Sequence, residues 1–195
     1  MLEKLDQLDK ELLLFFNSFH TSFLDTLMFY ISKTAFWIPL YALLLFLIIK
    51  FYKKGAVIIL IFLALSVTVA DQMASTVMKP YFKRYRPCHE VSIMEEVHTV
   101  NGCGGKFGFV SSHAANTFAV ATFVTLLFWK RNRKIGWLYL WALLVSFSRV
   151  YLGRHYPGDI LAGALLGIII SVLLYLLYSA LGTNKANWLK REEYF

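Results

Sequence analysis

Charge is scarce in this chain of 195 residues. Asp, Glu, Lys and Arg together make up 16% of it, against 58% hydrophobic residues, and the mean hydropathy is +0.56. That is more apolar surface than a soluble domain of this size can bury, so the composition excludes a water-soluble enzyme and points to a bilayer. Internal repeats and low-complexity linkers are also missing, and residues 1–195 read as one domain. No set of His, Cys, Asp and Glu shows the spacing of metal ligands: His89, Glu90, Glu95, Glu96 and His98 match no such pattern and read as a solvated loop. Neither metal, cofactor nor nucleic acid is expected. A cleaved signal peptide is a poor fit, because acidic residues precede the first apolar stretch and no small-residue cleavage site follows it.

What the chain does have is long apolar runs. A crossing helix needs about 20 predominantly apolar residues, and residues 36–49, 55–70, 117–129, 135–147 and 160–181 are the centres of five expected spans. Pro39 predicts a kink in the first of them. Residues 1–20 read differently: Leu2, Leu5, Leu8, Leu12, Phe15 and Phe19 recur at helical spacing while Glu3, Lys4, Asp6, Asp9, Lys10 and Glu11 fill the other face. That segment is expected to lie in the interface, with His20 at its end. The alternative is a sixth span beginning near Lys10. The expected fold class is therefore an all-α integral membrane bundle of five to six transmembrane helices with an amphipathic N-terminal helix.

Tight basic clusters follow alternate spans: Lys50, Lys53 and Lys54; Lys130, Arg131, Arg133 and Lys134; Lys185, Lys190 and Arg191. These predict the cytoplasmic side. The opposite side then carries Lys33, Lys79, Lys83, Arg84, Arg86, Lys106, Arg149 and Arg154, with the long segment 79–112 as an extracytoplasmic loop.

Three stretches on that outward side combine cations, histidines and small hydroxyl residues with few acids, a set of groups that suits a phosphoryl ligand. In the first, Lys79 and Arg86 lie beside Pro80 and Pro87, which stiffen the chain where it leaves the helix. Alone, this would read as a basic belt for lipid headgroups. In the second, Ser111, Ser112 and His113 open an apolar helix, where an N-cap serine, free N–H groups and the positive dipole end favour an anion. In the third, Ser148 and Arg149 are followed by His155 and then Asp159, whose spacing of four allows the carboxylate to orient the imidazole.

Taken together the stretches resemble the type 2 phosphatidic acid phosphatase superfamily, whose pattern is K-x6-RP, PSGH and SR-x5-H-x3-D. Lys79, Arg86 and Pro87 match the first motif, Ser111 and His113 the second, and Ser148, Arg149, His155 and Asp159 the third; Val110 and Ser112 stand where the family has proline and glycine. The resemblance implies a metal-independent phosphatase. His155 is then the nucleophile, Asp159 its orienting partner and His113 the general acid. Lys79, Arg86, Arg149, Ser111 and Ser112 hold the phosphoryl oxygens, and Ser148 stands in support. The same constellation serves vanadium-dependent haloperoxidases, which are soluble. A catalytically silent lipid-binding membrane protein is the other-class alternative.

The expected location is a bacterial inner membrane, with the site facing the periplasm or outside and a lipid phosphate as substrate. Undecaprenyl diphosphate, the carrier of envelope synthesis, is the first expectation. Phosphatidylglycerol phosphate, phosphatidate and the 1-phosphate of lipid A are the alternatives. Asp71, two helical turns before Lys79 inside the second span, is expected to pair with a site cation, because a carboxylate there is costly. Cys88 and Cys103, the only cysteines, share the outward loop and are expected to form one disulfide rather than two unrelated thiols.

Overall fold

The computed structural model describes residues 2–181, which form helices and loops. Helix α1 spans Leu2–Ser18 and α2 Ser22–Ser32, bent by 117° at residues 19–21. Helix α3 is Ile38–Tyr52, and α4 (Ala56–Gln72) runs through a π-helical turn, Met73–Met78, into the short α5, Lys79–Phe82. After a long loop come α6 (Ser112–Phe128), α7 (Trp137–Tyr151) and α8 (Pro157–Leu181).

The five apolar helices α3, α4, α6, α7 and α8 occupy the five expected spans. By length and composition alone, Thr34–Phe82 and Pro157–Leu181 are long enough to cross a membrane, α1 with α2 would add a third if counted as one bent span, and α6 is a shorter apolar helix. The 49-residue stretch Thr34–Phe82 folds back on itself at Lys53, whose φ of 50° and ψ of −120° break the helix. The last turn of α3 lies at the end of α6, where Tyr52 Oη donates to Leu127 O at 2.8 Å. The end of α4 and α5 lies at its beginning, where Ser75 and Lys79 reach Ser112.

Helices α6 and α8 form the centre. On α8 the lipid-facing side carries the exposed Leu161, Leu165, Ile169 and Leu173, while Gly163, Gly167 and Ser171 turn toward α6. A Cβ at Gly167 would lie 2.1 Å from Ala115 O, and one at Gly163 2.5 Å from Ser111 O. Only glycine permits this approach, the spacing by which membrane helices pack without a hydrophobic driving force. Ser171 Oγ adds a hydrogen bond to Ala119 O at 2.7 Å.

Several expectations are corrected. Pro39 lies in the first turn of α3, where its missing N–H is harmless, and produces no kink within the span. Helix α2 was not foreseen; Thr21 caps it by accepting from Leu24 N–H at 3.2 Å. The loop expected over 79–112 begins later, since residues 79–82 are still helical. His98 is not solvated: its backbone N–H donates to Asn17 Oδ1 at 2.7 Å, its ring lies 2.9 Å from Asp25 Oδ2 and it stacks on His20. The basic cluster at Lys185, Lys190 and Arg191 lies outside the described residues.

Candidate active site

The three motif stretches meet at the outward end of the bundle because each sits where a helix begins or ends on that side. Lys79 opens α5, the last turn of the α4–α5 helix, Ser111 caps α6, Arg149 is in the last turn of α7, and Asp159 is in the first turn of α8. Gly153 makes the turn from α7 to His155 possible. It has a φ of +65°, and a Cβ there would lie 2.6 Å from Val97 Cγ1 and 2.7 Å from His98 O.

His155 and Asp159 are both buried, Asp159 completely. Asp159 Oδ2 lies 3.3 Å from His155 Nδ1 and accepts the Tyr156 N–H at 3.1 Å. A carboxylate can only accept, so Nδ1 carries the proton and Nε2 keeps its lone pair. Burial pushes the His155 imidazole down to about 4, outweighing the pull of Asp159 in the other direction, so the ring is neutral near pH 7.

Arg86 and Arg149 lie close enough to act electrostatically on His155. Arg149 donates from Nη1 to Ser32 Oγ, and its buried Nε has no partner among the described residues. Arg154, next to His155 in sequence, donates Nη2 to Val100 O and Asn101 O at 3.0 and 3.1 Å, and its buried Nε is likewise unpaired among the described residues. Buried donors without partners are costly unless an anion meets them. Arg86 is held by loop carbonyls, Nη1 to Cys103 O at 2.9 Å and Nε to Phe107 O at 3.3 Å. Burial and the nearby Arg154 push its pKa below the ordinary value, which favours an arriving phosphate. Lys79 Nζ donates to Ser112 Oγ at 2.6 Å. Ser111 Oγ caps α6 through Ala114 N–H at 3.5 Å.

Two of the expected residues are placed otherwise. Ser148 Oγ donates to Val145 O one turn back in its own helix at 2.7 Å rather than to another site residue. Asp71 makes no ion pair with Lys79; its Oδ1 accepts from Asn116 Nδ2 at 2.9 Å. Cys88 and Cys103 are joined as a disulfide, closing a segment with a separation of 15 residues. Its Cys103 end supplies the carbonyl that holds Arg86. The metal-like group Cys88, His89 and Cys103 is the one such set among the described residues, and a disulfide leaves its two sulfurs with no thiolate to offer.

Sequence reasoning missed one whole layer. Arg84 Nη1 donates to Asp159 Oδ1 at 2.9 Å, Nη2 reaches Asp9 Oδ2 at 2.8 Å and Asp6 Oδ1 at 3.0 Å, and its guanidinium lies over the Tyr156 ring at 4.0 Å. Burial works against the Arg84 charge, but the three carboxylates more than offset it and hold its pKa above the usual value. Asp9 Oδ1 also accepts the Gly158 N–H at 2.7 Å, at the start of α8. Asp9 of α1 thus closes over the site largely buried, while Asp6 stays half exposed beside it. Their spacing of three on one helix face, Asp6 and Asp9, was the only sequence signal.

Three cavities adjoin the site, one of about 350 Å³ beside Lys79 and Arg86 and two that reach His113. One of about 400 Å³ is bounded by His113, Arg149, Arg154 and Ser32. The other, about 610 Å³, runs from Ser112 and His113 between α3, α4 and α6 to Ile48 and Leu60. His113 borders both.

Comparison with known proteins follows the same lines. The family model described as "PAP2 superfamily" matches residues 55–182. The chain is 44% identical over 170 residues to a lipid A 4'-phosphatase of Bacteroides thetaiotaomicron, covering 86% of this chain and 75% of that protein. It is 32% identical to the undecaprenyl-diphosphatase BcrC of Bacillus subtilis, covering 81% of this chain and 77% of that one. The fold is similar to the crystal structure of a transmembrane PAP2 type phosphatidylglycerolphosphate phosphatase from Bacillus subtilis, with a TM-score of 0.68, 20% identity, and 91% and 87% of the two chains covered.

Proposed function

Since this chain belongs to the PAP2 superfamily and is a membrane phosphatase acting on lipid phosphate esters, we propose that it works through a phosphohistidine on His155 and without a metal ion. The observation that carries this reading is a buried imidazole oriented by a carboxylate, close to two arginines whose buried Nε–H groups are unpaired among the described residues and which line a cavity with His113.

The phosphoryl group binds among Arg149, Arg154, Arg86 and Lys79, with the α6 N-terminus at Ser111 and Ser112 completing the cradle. His155 Nε2 attacks phosphorus as the bond to the leaving oxygen breaks, and His113 gives its proton to that oxygen. Asp159 stabilises the charge that develops on the His155 ring. Water then attacks the phosphohistidine, His113 takes back a proton, the P–N bond breaks and inorganic phosphate leaves. The fixed cations stabilise the charge spreading over the equatorial oxygens, the part Mg²⁺ plays in other phosphoryl transfers.

For the substrate we propose a lipid A-type 4'-phosphate, supported by the 44% identity to the Bacteroides thetaiotaomicron protein. Undecaprenyl diphosphate is the second reading, supported by the 32% identity to BcrC. The basic clusters at Lys53 and Arg133, at the opposite end of the bundle from the site, support an active site on the extracytoplasmic face of the inner membrane. Phosphate release by purified protein from a panel of these lipids, in excess chelator, tests the proposal. Hydrolysis should continue with chelator and stop with vanadate; loss with EDTA and rescue by Mg²⁺ would overturn it.

A further inference from the structure

The larger cavity begins at His113, where the leaving oxygen receives its proton in the mechanism above. The lipid alcohol therefore enters this cavity, and what lines it next to His113 selects that alcohol. The lower part suits a hydrocarbon chain, being bounded by Leu60, Leu63, Ala64, Leu44 and Ile48. The upper part does not. Asn116, one helical turn below His113 on α6, and Asp71 on α4 face each other there, about 5 Å deeper than His113. Asn116 Nδ2 fixes Asp71 Oδ1 at 2.9 Å, while Asp71 Oδ2 has no hydrogen-bond partner among the described residues. The Asn116 amide oxygen is itself buried without a partner among the described residues, a second open acceptor beside the carboxylate. An acceptor held rigid and unmatched in a membrane-embedded cavity is expensive unless a donor meets it.

We infer that Asp71, positioned by Asn116, is a specificity subsite for a hydrogen-bond-donating group beside the scissile phosphate. The substrate class is then a phosphorylated sugar lipid, whose hydroxyl and amide N–H groups lie within one ring's width of phosphorus. A polyprenyl diphosphate places a second anion or bare hydrocarbon at this depth, and phosphatidate places esters, none of which can donate. A site built to hydrogen-bond a substrate group rejects analogues that lack it, because its own polar atom is left unmatched. This inference rests on the phosphatase reading and narrows its substrate.

Initial rates in mixed micelles test it, with a lipid A-type disaccharide 4'-phosphate, undecaprenyl diphosphate and phosphatidate as substrates. Wild type should prefer the sugar lipid. Asp71→Leu should lower the ratio of kcat/KM for the sugar lipid to that for undecaprenyl diphosphate by roughly 10- to 100-fold, chiefly through KM, as expected for loss of a hydrogen bond to a charged group. Asp71→Asn, which keeps an acceptor oxygen and nearly the same shape, should restore much of the ratio. Parallel loss on all three substrates would show a merely structural role and overturn the inference, as would a wild-type preference for undecaprenyl diphosphate. Release of phosphate from none of the three by wild type would instead bring down the phosphatase reading, and the inference with it.

Discussion

Removing Arg84 should weaken both the fold and the chemistry, although no family motif includes it. Arg84→Met keeps most of the side chain's length and its packing on Tyr156 but deletes the guanidinium. Asp159 Oδ1 then loses the one partner it has among the described residues, at 2.9 Å, and Asp159 itself is fully buried. Asp9, whose side chain is 13% exposed, loses its contact at 2.8 Å. Asp6 is 47% exposed and retains Lys10 at 3.0 Å, so its share is small. Hydrogen bonds to charged groups are worth about 1.5–3 kcal/mol, and unpairing a buried charge costs about 3–5 kcal/mol. Arg84 is 23% exposed, which favours the lower range, and we expect a stability loss of about 2–3 kcal/mol. If half of that falls on the alignment of His155, kcat drops roughly 10-fold. Thermal unfolding in detergent and phosphate-release kinetics measure the two effects. A cycle with Asp9→Asn should give a coupling of about 1 kcal/mol, because both residues join α1 to α8 through one guanidinium. Unchanged kcat and melting temperature in Arg84→Met, with strictly additive effects in the cycle, would refute the reasoning.

Further outcomes follow from other parts of the site. Replacing Cys88 and Cys103 by serine should lower stability by roughly 3 kcal/mol, as expected for opening a loop of about 15 residues. It should also raise KM, because the Cys103 carbonyl orients Arg86; free-thiol counting on denatured, unreduced wild type should find none. Gly167→Ala should cost about 1–3 kcal/mol or more, since its Cβ would press on Ala115 O, whereas Gly105→Ala meets nothing within 4 Å and should be near neutral by thermal unfolding. For pH dependence, the proposed attack by His155 needs a neutral ring, and burial lowers His155 to about 4. Once corrected for substrate ionisation, kcat/KM should show no acid limb from His155 between pH 7 and about 5 and should fall only toward 4; an acid limb near 6.5 would contradict this.

The motif residues were legible because a helix end is a local event. Pro87 and the N-cap Ser111 mark where the loop between spans starts and stops, and alternate ends of spans gather on one side. Asp6, Asp9 and Arg84 were not legible as a group: α1 has the alternation of a surface helix, and its acids meet Arg84 only through contacts some 75 residues apart in sequence. Asp71 shows the same limit. Its presence inside a span signalled a function, yet its spacing to Lys79 suggested a cation partner where the fold supplies Asn116 from another helix. His98 looked solvated because nothing local reveals that Asn17 and Asp25 enclose it.

The central claim is that His155 carries the phosphoryl group and His113 protonates the leaving oxygen. Rapid acid-free quenching of protein with radiolabelled substrate should trap acid-labile phosphate on wild type and none on His155→Ala. His113→Ala should still form the adduct from a nitrophenyl phosphate, whose leaving group needs little protonation, while turning over the lipid poorly. Phosphoprotein that persists in His155→Ala and vanishes in His113→Ala would contradict the account and exchange the two roles.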